Sequence, residues 1–205
     1  MPTGGGGPDG SGVSSTPYTG SLTVEQLLVR SAMAYAEAAA YTDEGTITII
    51  QPSRRNEYTF RTIHERGGRF SFEVRGPAAS PMPHFEVHRA AQRFETIRSG
   101  SYGQAATLEA AILPLQSLMT EYTTSVPRML AGRHWGPTND AYEARIVGVT
   151  SVNGQPTIMI ELELIGEGSA TLWLDQATLL IRRMAHQSPR SETFIMVLFN
   201  RLERR

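Results

Sequence analysis

The sequence has 205 residues, a formal net charge of −1 and no cysteine. This length suits one domain or two small ones, with enough chain to bury a substantial core. The balance of 19 basic and 20 acidic residues argues against a nucleic-acid partner. Without cysteine, disulfides, zinc–thiolate sites and thiol nucleophiles are excluded. No apolar run reaches the roughly 18 residues that a membrane-spanning helix requires.

Residues 1–20 form a region of their own, rich in glycine, serine and proline and almost without apolar side chains. This composition predicts a disordered linker, followed by a single domain over residues 21–205. The segment lacks the basic start and the apolar stretch of a signal peptide. Two interpretations stay open: the tether of a lipoprotein that is lipid-anchored through a residue preceding Met1, or a plain disordered tail.

Three segments predict helices. The first spans about Val24–Ala40, because Thr23 followed three residues later by a glutamine can form a capping box. The second is amphipathic and spans Gln104–Met119, where Pro114 is expected to kink or split it. A short third helix is expected near Pro127–Ala131.

About ten strands are predicted, on either side of the second helix. The strands before it are Gly45–Gln51, Glu57–Glu65, Arg69–Arg75, His84–Arg89 and Gln92–Ser99. After it, an antiparallel meander runs from Tyr142 to Met184, and a last strand spans about Thr193 to Leu202. Asn153-Gly154 predicts a type I′ hairpin turn within the meander, because both residues tolerate the positive φ that this turn requires.

Several strands are apolar on both faces, whereas a strand with one face in water alternates. The clearest are Leu172-Trp173-Leu174 and the run from Phe194 to Phe199. Either helices cover one face while the other is shielded, or the sheet curls around an apolar cavity. The eight methionines would suit an adaptable pocket, although methionine in an ordinary core is more common.

The order of elements is similar to that of the bacterial lipoprotein-carrier (LolA-like) superfamily, of the outer-membrane lipoprotein-sorting protein type. The matching stretches are Tyr41-x-x-x-Gly45, Arg66-x-x-Arg69-Phe70-x-Phe72-Glu73, Val152-Asn153-Gly154-x-Pro156 and Thr171-Leu172-Trp173-Leu174-Asp175-x-x-Thr178-x-Leu180-Ile181-Arg182-Arg183. The resemblance covers about Leu22 to Leu202.

This resemblance implies an α+β fold with a strongly curved antiparallel sheet, an incomplete β-barrel of about ten strands, and two or three helices covering its concave face. An apolar cavity on that face is implied, with no cofactor and no metal. The implied cavity residues are Leu108, Ile112, Leu115, Met119, Met129, Leu130, Trp173, Phe194 and Met196. Arg66 is the position most like the carriers' arginine that holds a helical lid through backbone carbonyls, although Gly67 stands where the carriers usually have proline. A turn arginine facing water is the alternative for Arg66.

The first functional hypothesis is a non-enzymatic carrier or chaperone of the periplasm or cell envelope. Its partners would be a lipid or an acylated lipoprotein and a membrane-bound protein, and burial of each CH₂ of an acyl chain would contribute roughly 0.8 kcal/mol. The second hypothesis is a protein-interaction or sensory module on the same fold, which a concave face filled by side chains would favour. An enzyme on this scaffold is the third, since fold alone does not decide function.

His84, Glu86 and His88 alternate on one face of a predicted strand and at first suggest a metal site. Residues four apart in a strand are separated by roughly 13 Å, so both histidines cannot come within about 2.1 Å of one zinc ion. At most two neighbouring side chains could share an ion, with a third ligand from elsewhere. The sequence therefore predicts no metal site, and Glu161 and Glu163 are expected to be solvated rather than a catalytic pair.

Overall fold

The computed structural model describes residues 15–80, 82–119, 121–132, 142–164, 168–188 and 192–205, and within them the side chains of 116–119, 121–122, 142 and 164 are left aside. The helices are α1 (Val24–Ala36), α2 (Leu108–Met119) and α3 (Ser125–Leu130), with a 3-10 turn at Glu121–Thr124. The strands are β1 (Ala40–Gln51), β2 (Arg54–Glu65), β3 (Phe70–Arg75), β4 (His84–Ala90), β5 (Arg93–Arg98), β6 (Ser101–Ala105), β7 (Tyr142–Val152), β8 (Gln155–Leu164), β9 (Gly168–Asp175), β10 (Ile181–Gln187) and β11 (Phe194–Arg204).

The eleven described strands form one antiparallel sheet in the order β6-β5-β4-β3-β2-β1-β11-β10-β9-β8-β7. Apart from β6 and β7, strands that follow one another in the chain lie side by side, and the pairing of β1 with β11 joins the two halves. The sheet is curved and does not close, because β6 and β7 are its two edges. The chain between these edges carries α2 and α3, so the helices lie across the open side. This arrangement confirms the predicted α+β fold with an incomplete antiparallel barrel.

Helix α1 begins as predicted, with the full capping box between Thr23 and Gln26. It ends at Ala36 rather than Ala40, because β1 starts four residues later. The backbone N–H groups of Ala39 and Ala40 donate to the carbonyl of Arg205 at 2.8 and 3.0 Å. Because residues 39 and 40 pair with Arg205, at the other end of the chain, the local sequence cannot indicate that the helix stops at Ala36. The sequence pattern therefore predicts a helix that is four residues too long.

The second helix begins at Leu108, four residues later than predicted. Residues 101–105 instead form β6, which pairs with β5 along its length. Helix α3 starts at Ser125, two residues before the prediction, and ends at Leu130. The predicted ten strands therefore become eleven in the described part of the chain.

The Asn153-Gly154 turn is confirmed, with φ angles of 51° and 77° at the two residues. A second backbone requirement arises at Gly45, where β1 shifts its register against β11. A Cβ at this position would lie next to the carbonyl oxygen of Leu198 and 2.7 Å from the ring of Phe60. Only glycine therefore allows the strands to approach this closely.

A single large apolar core lies between the helices and the sheet face that they cover, which we call the inner face. The inner-face residues of the central strands include Ile47, Phe60, Phe72, Phe85 and Leu172, all at most 6% exposed. Among the described helices, none combines the length and the apolar character that crossing a membrane requires.

Of the predicted linker, residues 1–14 lie outside the described part of the chain. The rest of the predicted linker contacts the sheet at Thr16. The Thr16 backbone N–H donates to the Val149 carbonyl at 2.9 Å, and the Thr16 carbonyl accepts from the Val149 N–H at 2.7 Å.

Candidate functional site

Five of the predicted cavity residues come together beneath the helices. Leu108, Ile112 and Leu115 project from α2, while Met129 and Leu130 project from α3, and all five are at most 5% exposed. They belong to the same apolar core as the inner face of the sheet. The helical layer is thus apolar on the side that faces the sheet, as an acyl-chain site requires.

The described side chains of this layer are packed against the sheet and against α1. Helix α2 packs on β4, β5 and β6, and α3 packs beside α1. Phe70, Phe72, Phe85 and Phe94 belong to the same core on the sheet side and are at most 9% exposed. A ligand on the inner face would therefore have to displace helical side chains.

The remaining predicted cavity residues do not join this group. Trp173 and Phe194 lie on the opposite face of the sheet, which we call the outer face, in a separate apolar cluster. The register places Met196 on the same face, opposite Ala185. The side chain of Met119 lies outside the described part of the structure.

This outer cluster explains why the last strands are apolar on both faces. Trp173 packs with Val152, Ala185 and Met159 across neighbouring strands. The guanidinium carbon of Arg183 lies 4.6 Å from the centre of the Trp173 ring, a cation–π contact that covers the indole. The outer face is thus shielded by its own side chains, the first of the two arrangements considered above.

Arg66 makes a backbone contact, but to α1. Its Nη2 donates a 2.8 Å hydrogen bond to the carbonyl oxygen of Ala36, the last residue of that helix. A cation at this end of a helix binds an otherwise unpaired carbonyl and interacts favourably with the helix dipole. Arg66 therefore fastens α1 to the turn between β2 and β3, and its contact does not involve α2 or α3.

Replacing Arg66 with alanine is expected to lower the free energy of unfolding by about 1 kcal/mol, because one exposed C-terminal contact of α1 is lost. Denaturant unfolding measures this loss. Arg69→Ala, at an exposed position of the same turn, serves as the control and is expected to change stability much less. Equal losses in the two variants would show that the contact with Ala36 contributes nothing specific.

A buried carboxyl group lies on the inner face, where sequence reasoning did not look for one. Asp43 is fully buried, accepts hydrogen bonds from the Tyr41 hydroxyl at 2.8 Å and from the Thr62 backbone N–H at 3.0 Å, and has no described cationic partner. Desolvation raises the pKa of Asp43 to about 7, although both hydrogen bonds act to lower it. The sequence signal that could have predicted this burial is spacing: Asp43 lies two residues after Tyr41 and four before Ile47, so all three side chains share the buried face of β1.

Tyr35 extends this polar group across the core. Its hydroxyl accepts a hydrogen bond of 2.8 Å from the backbone N–H of Ile181, which lies 146 residues away in the chain. Its ring meets that of Tyr41 edge-on, with centroids 5.3 Å apart. Helix α1 is therefore held against both halves of the sheet.

A second carboxylate organises the turn between β9 and β10. Asp175 accepts hydrogen bonds from the backbone N–H groups of Ala177 and Thr178 at 3.1 and 2.9 Å. Its other oxygen binds the Arg182 guanidinium through Nε and Nη2 at 2.9 and 2.8 Å. Burial acts to raise the pKa of Asp175, but the hydrogen bonds from Thr178 and Arg182 outweigh it and lower the pKa.

Charged side chains form a row on the outer face of β3, β4 and β5. His84 lies between two carboxylates, with Nε2 at 3.2 Å from Glu73 Oε1 and 4.0 Å from Glu86 Oε2. His88 follows, with Nε2 at 2.9 Å from Glu95 Oε2. The sequence indicated the β4 members of this row but not Glu73 and Glu95, because only the strand pairing brings them alongside.

No family model matches the sequence, and no curated protein does so either. Solved structures do match. The structure of MucB is 18% identical, with a TM-score of 0.55, and the match covers 87% of this chain and 57% of that one. The complex of Pseudomonas aeruginosa MucA and MucB gives 17% identity and a TM-score of 0.52, covering 87% and 56%. This chain thus spans little more than half the length of the MucB chains it matches.

A LolA superfamily protein from Nitrosomonas europaea also matches, at 12% identity and a TM-score of 0.37, over 90% of this chain and 94% of that chain. At these identities the likeness is one of fold. The matches to MucB therefore show that this chain shares a fold with those structures.

Proposed function

We propose that this chain is a non-enzymatic protein of the periplasm or cell envelope that binds a lipid, or the acyl chains of a lipoprotein, between its helices and the inner face of its sheet. The observation that carries the proposal is the apolar layer formed by α2 and α3 over an unclosed sheet. In this layer Leu108, Ile112 and Leu115 face inward, while Leu113 on the same helix is 61% exposed.

The way in which an acyl chain would enter follows from the topology. The segment that contains α2 and α3 connects the two edge strands, β6 and β7, so it can move without breaking the sheet. Pro114 lies inside α2 and has no N–H to donate, which weakens the helix at its middle. When α2 lifts, an acyl chain can replace its side chains on the inner face, and each buried CH₂ contributes roughly 0.8 kcal/mol.

Partner binding without a lipid is the second candidate, since the described inner-face side chains are packed in one apolar core and MucB has been solved in complex with MucA. Val29 and Met33, four residues apart on α1, are 46% and 49% exposed. They place apolar surface on the outside of the helical layer, where a membrane-bound partner protein could dock. In this case the apolar layer would be a structural core only.

Native mass spectrometry with lipid extraction tests the first candidate, on protein purified from a Gram-negative periplasm. The wild-type protein is expected to carry an acyl species, or to bind added phospholipid or lipopeptide. Leu115→Glu is expected to abolish this binding, because its carboxylate would lie where the acyl chain packs. Leu113→Glu is the matched control, since the same charge on the exposed side of α2 leaves the inner face unchanged.

A folding check separates loss of binding from loss of structure. Leu115→Trp keeps the site apolar but enlarges the side chain, at a cost of about 1–3 kcal/mol of stability. Circular dichroism shows whether this variant is folded, and the folded variant is expected to lose the lipid. Equal lipid binding by wild type, Leu115→Glu and Leu115→Trp would contradict a site beneath α2. A wild-type protein that neither carries nor takes up any acyl species would contradict the lipid proposal and favour partner binding.

A further inference from the structure

Strand β4 alone offers only two neighbouring side chains that could bind one metal ion. The charged row on the outer face adds a third, Glu73 on β3. Glu73 on β3 is directly opposite Glu86 on β4 in the sheet register, with His84 two residues before Glu86. One possible ligand atom from each of Glu73, His84 and Glu86 lies within 4.8 Å of the other two. Three side chains from two strands thus place one nitrogen and two oxygens around a common point.

We infer that Glu73, His84 and Glu86 bind one divalent first-row transition-metal ion, a site that the sequence alone did not predict. A tetrahedral ion with ligands about 2.1 Å away has ligand atoms about 3.4 Å apart. The observed separations of 3.2 Å, from Glu73 Oε1 to His84 Nε2, and 4.0 Å, from His84 Nε2 to Glu86 Oε2, bracket this value. Small side-chain rotations would complete the geometry.

The donor set selects the kind of ion. One imidazole and two carboxylates suit Zn²⁺ or a similar transition ion, whereas Ca²⁺ and Mg²⁺ prefer oxygen ligands alone. The two carboxylates also compensate the charge of a divalent ion. The three side chains are about a quarter to a third exposed, so the ion can enter from solvent and keep a water ligand.

His88 and Glu95 support the site from the next position along the row. Glu95 holds His88 through Nε2, and His88 Nδ1 lies 3.8 Å from Glu86 Oε1, the oxygen that does not face His84. Among the described residues, this Nδ1 is buried and has no hydrogen-bond partner. This Nδ1 makes no hydrogen bond to Glu86 at 3.8 Å, but a small rotation of Glu86 on binding the ion would bring Oε1 within reach, as in the outer partners of metal ligands.

Arg75 competes with a metal ion for Glu73, so substituting Arg75 is the most direct test of the site. Its Nε lies 2.6 Å from Glu73 Oε1, the same oxygen that faces His84. An incoming cation must displace this guanidinium, so Arg75 lowers the affinity for metal. Glu73 and Arg75 also line an outer-face cavity of about 290 Å³, which gives the displaced Arg75 side chain room to move.

The experiment is isothermal titration of tag-free, EDTA-treated full chain with ZnCl₂, and with CaCl₂ as the comparison ion. Wild type is expected to bind one equivalent of Zn²⁺ and no Ca²⁺ at the same concentrations. His84→Ala is expected to weaken Zn²⁺ binding at least tenfold, and Arg75→Gln to strengthen it severalfold. Glu86→Gln is expected to weaken it, whereas Glu163→Gln, which removes the same charge from β8, is not.

Several outcomes would overturn the inference. These are a wild type that takes up no Zn²⁺, a His84→Ala variant that binds Zn²⁺ as tightly as wild type, and equal effects of Glu86→Gln and Glu163→Gln. Should His84→Ala fail to fold, Arg75→Gln decides, because unchanged or weaker binding in that folded variant contradicts a site that includes Glu73. Lipid binding is a separate measurement, so either result leaves the proposed function unaffected.

Discussion

Replacing Asp43 with asparagine is expected to stabilise the protein at pH 8 by about 4 kcal/mol, and hardly at all at pH 4. The reason is that burial raises the pKa of Asp43 to about 7 in the folded state, whereas an unfolded aspartate titrates near 3.9. At pH 8 the wild type must bury a negative charge, which asparagine does not carry. The asparagine oxygen can still accept from the Thr62 N–H, and its NH₂ can donate to the Tyr41 hydroxyl.

The pH dependence has a definite sign. Between about pH 4 and pH 7 the folded state holds a proton that the unfolded state has lost. The free energy of unfolding of the wild type should therefore fall as the pH rises through this window, and then level off. Asp43→Asn should lack this contribution.

Denaturant unfolding at pH 4, 6 and 8 measures the effect. Glu44→Gln is the control, because it removes the same charge from the neighbouring residue, which is exposed. Identical pH profiles for wild type and Asp43→Asn would show that Asp43 is not a buried titrating group.

Replacing Asp175 with alanine is expected to destabilise the protein at pH 7 by about 3 kcal/mol or more. Arg182, whose side chain is 20% exposed, would lose its carboxylate partner, and the turn would lose its hydrogen bonds to Ala177 and Thr178. Here the pKa is lowered in the folded state. The contribution is therefore present above the unfolded pKa and is lost as the pH falls, so the two proteins should converge in acid.

A double-mutant cycle with Arg182→Met isolates the ion pair from the turn contacts. If the pair matters, Arg182→Met should cost much less in the Asp175→Ala background than in the wild type. Additive losses would show that Asp175 acts through the turn alone. Thermal or denaturant unfolding at pH 7 provides all four values.

Much of the fold could be predicted because it rests on local patterns. The capping box at Thr23, the Asn153-Gly154 turn and the alternation of apolar residues along β8 each depend on neighbours within a few positions. Element order then indicated the LolA-like fold. The buried side of α2 could be predicted as well, because Leu108, Ile112 and Leu115 repeat at helical spacing.

The rest depended on pairing between distant strands. The sequence could not tell which face of the sheet Trp173 and Phe194 would occupy, because both faces of their strands are apolar. A face is assigned only when register aligns each strand with its neighbours, since a shift of one residue reverses every side chain.

The same limit applies to the polar groups. Sequence placed His84 and Glu86 on one strand face, but only the β3–β4 register brings Glu73 beside them. Likewise, the sequence contains Asp43, but its burial results from the packing of β1 between β2 and β11 under α1. The sequence by itself determined most of the elements and their order, because these depend on local patterns. The tertiary structure decided which side chains meet, because those contacts join residues that are remote along the chain.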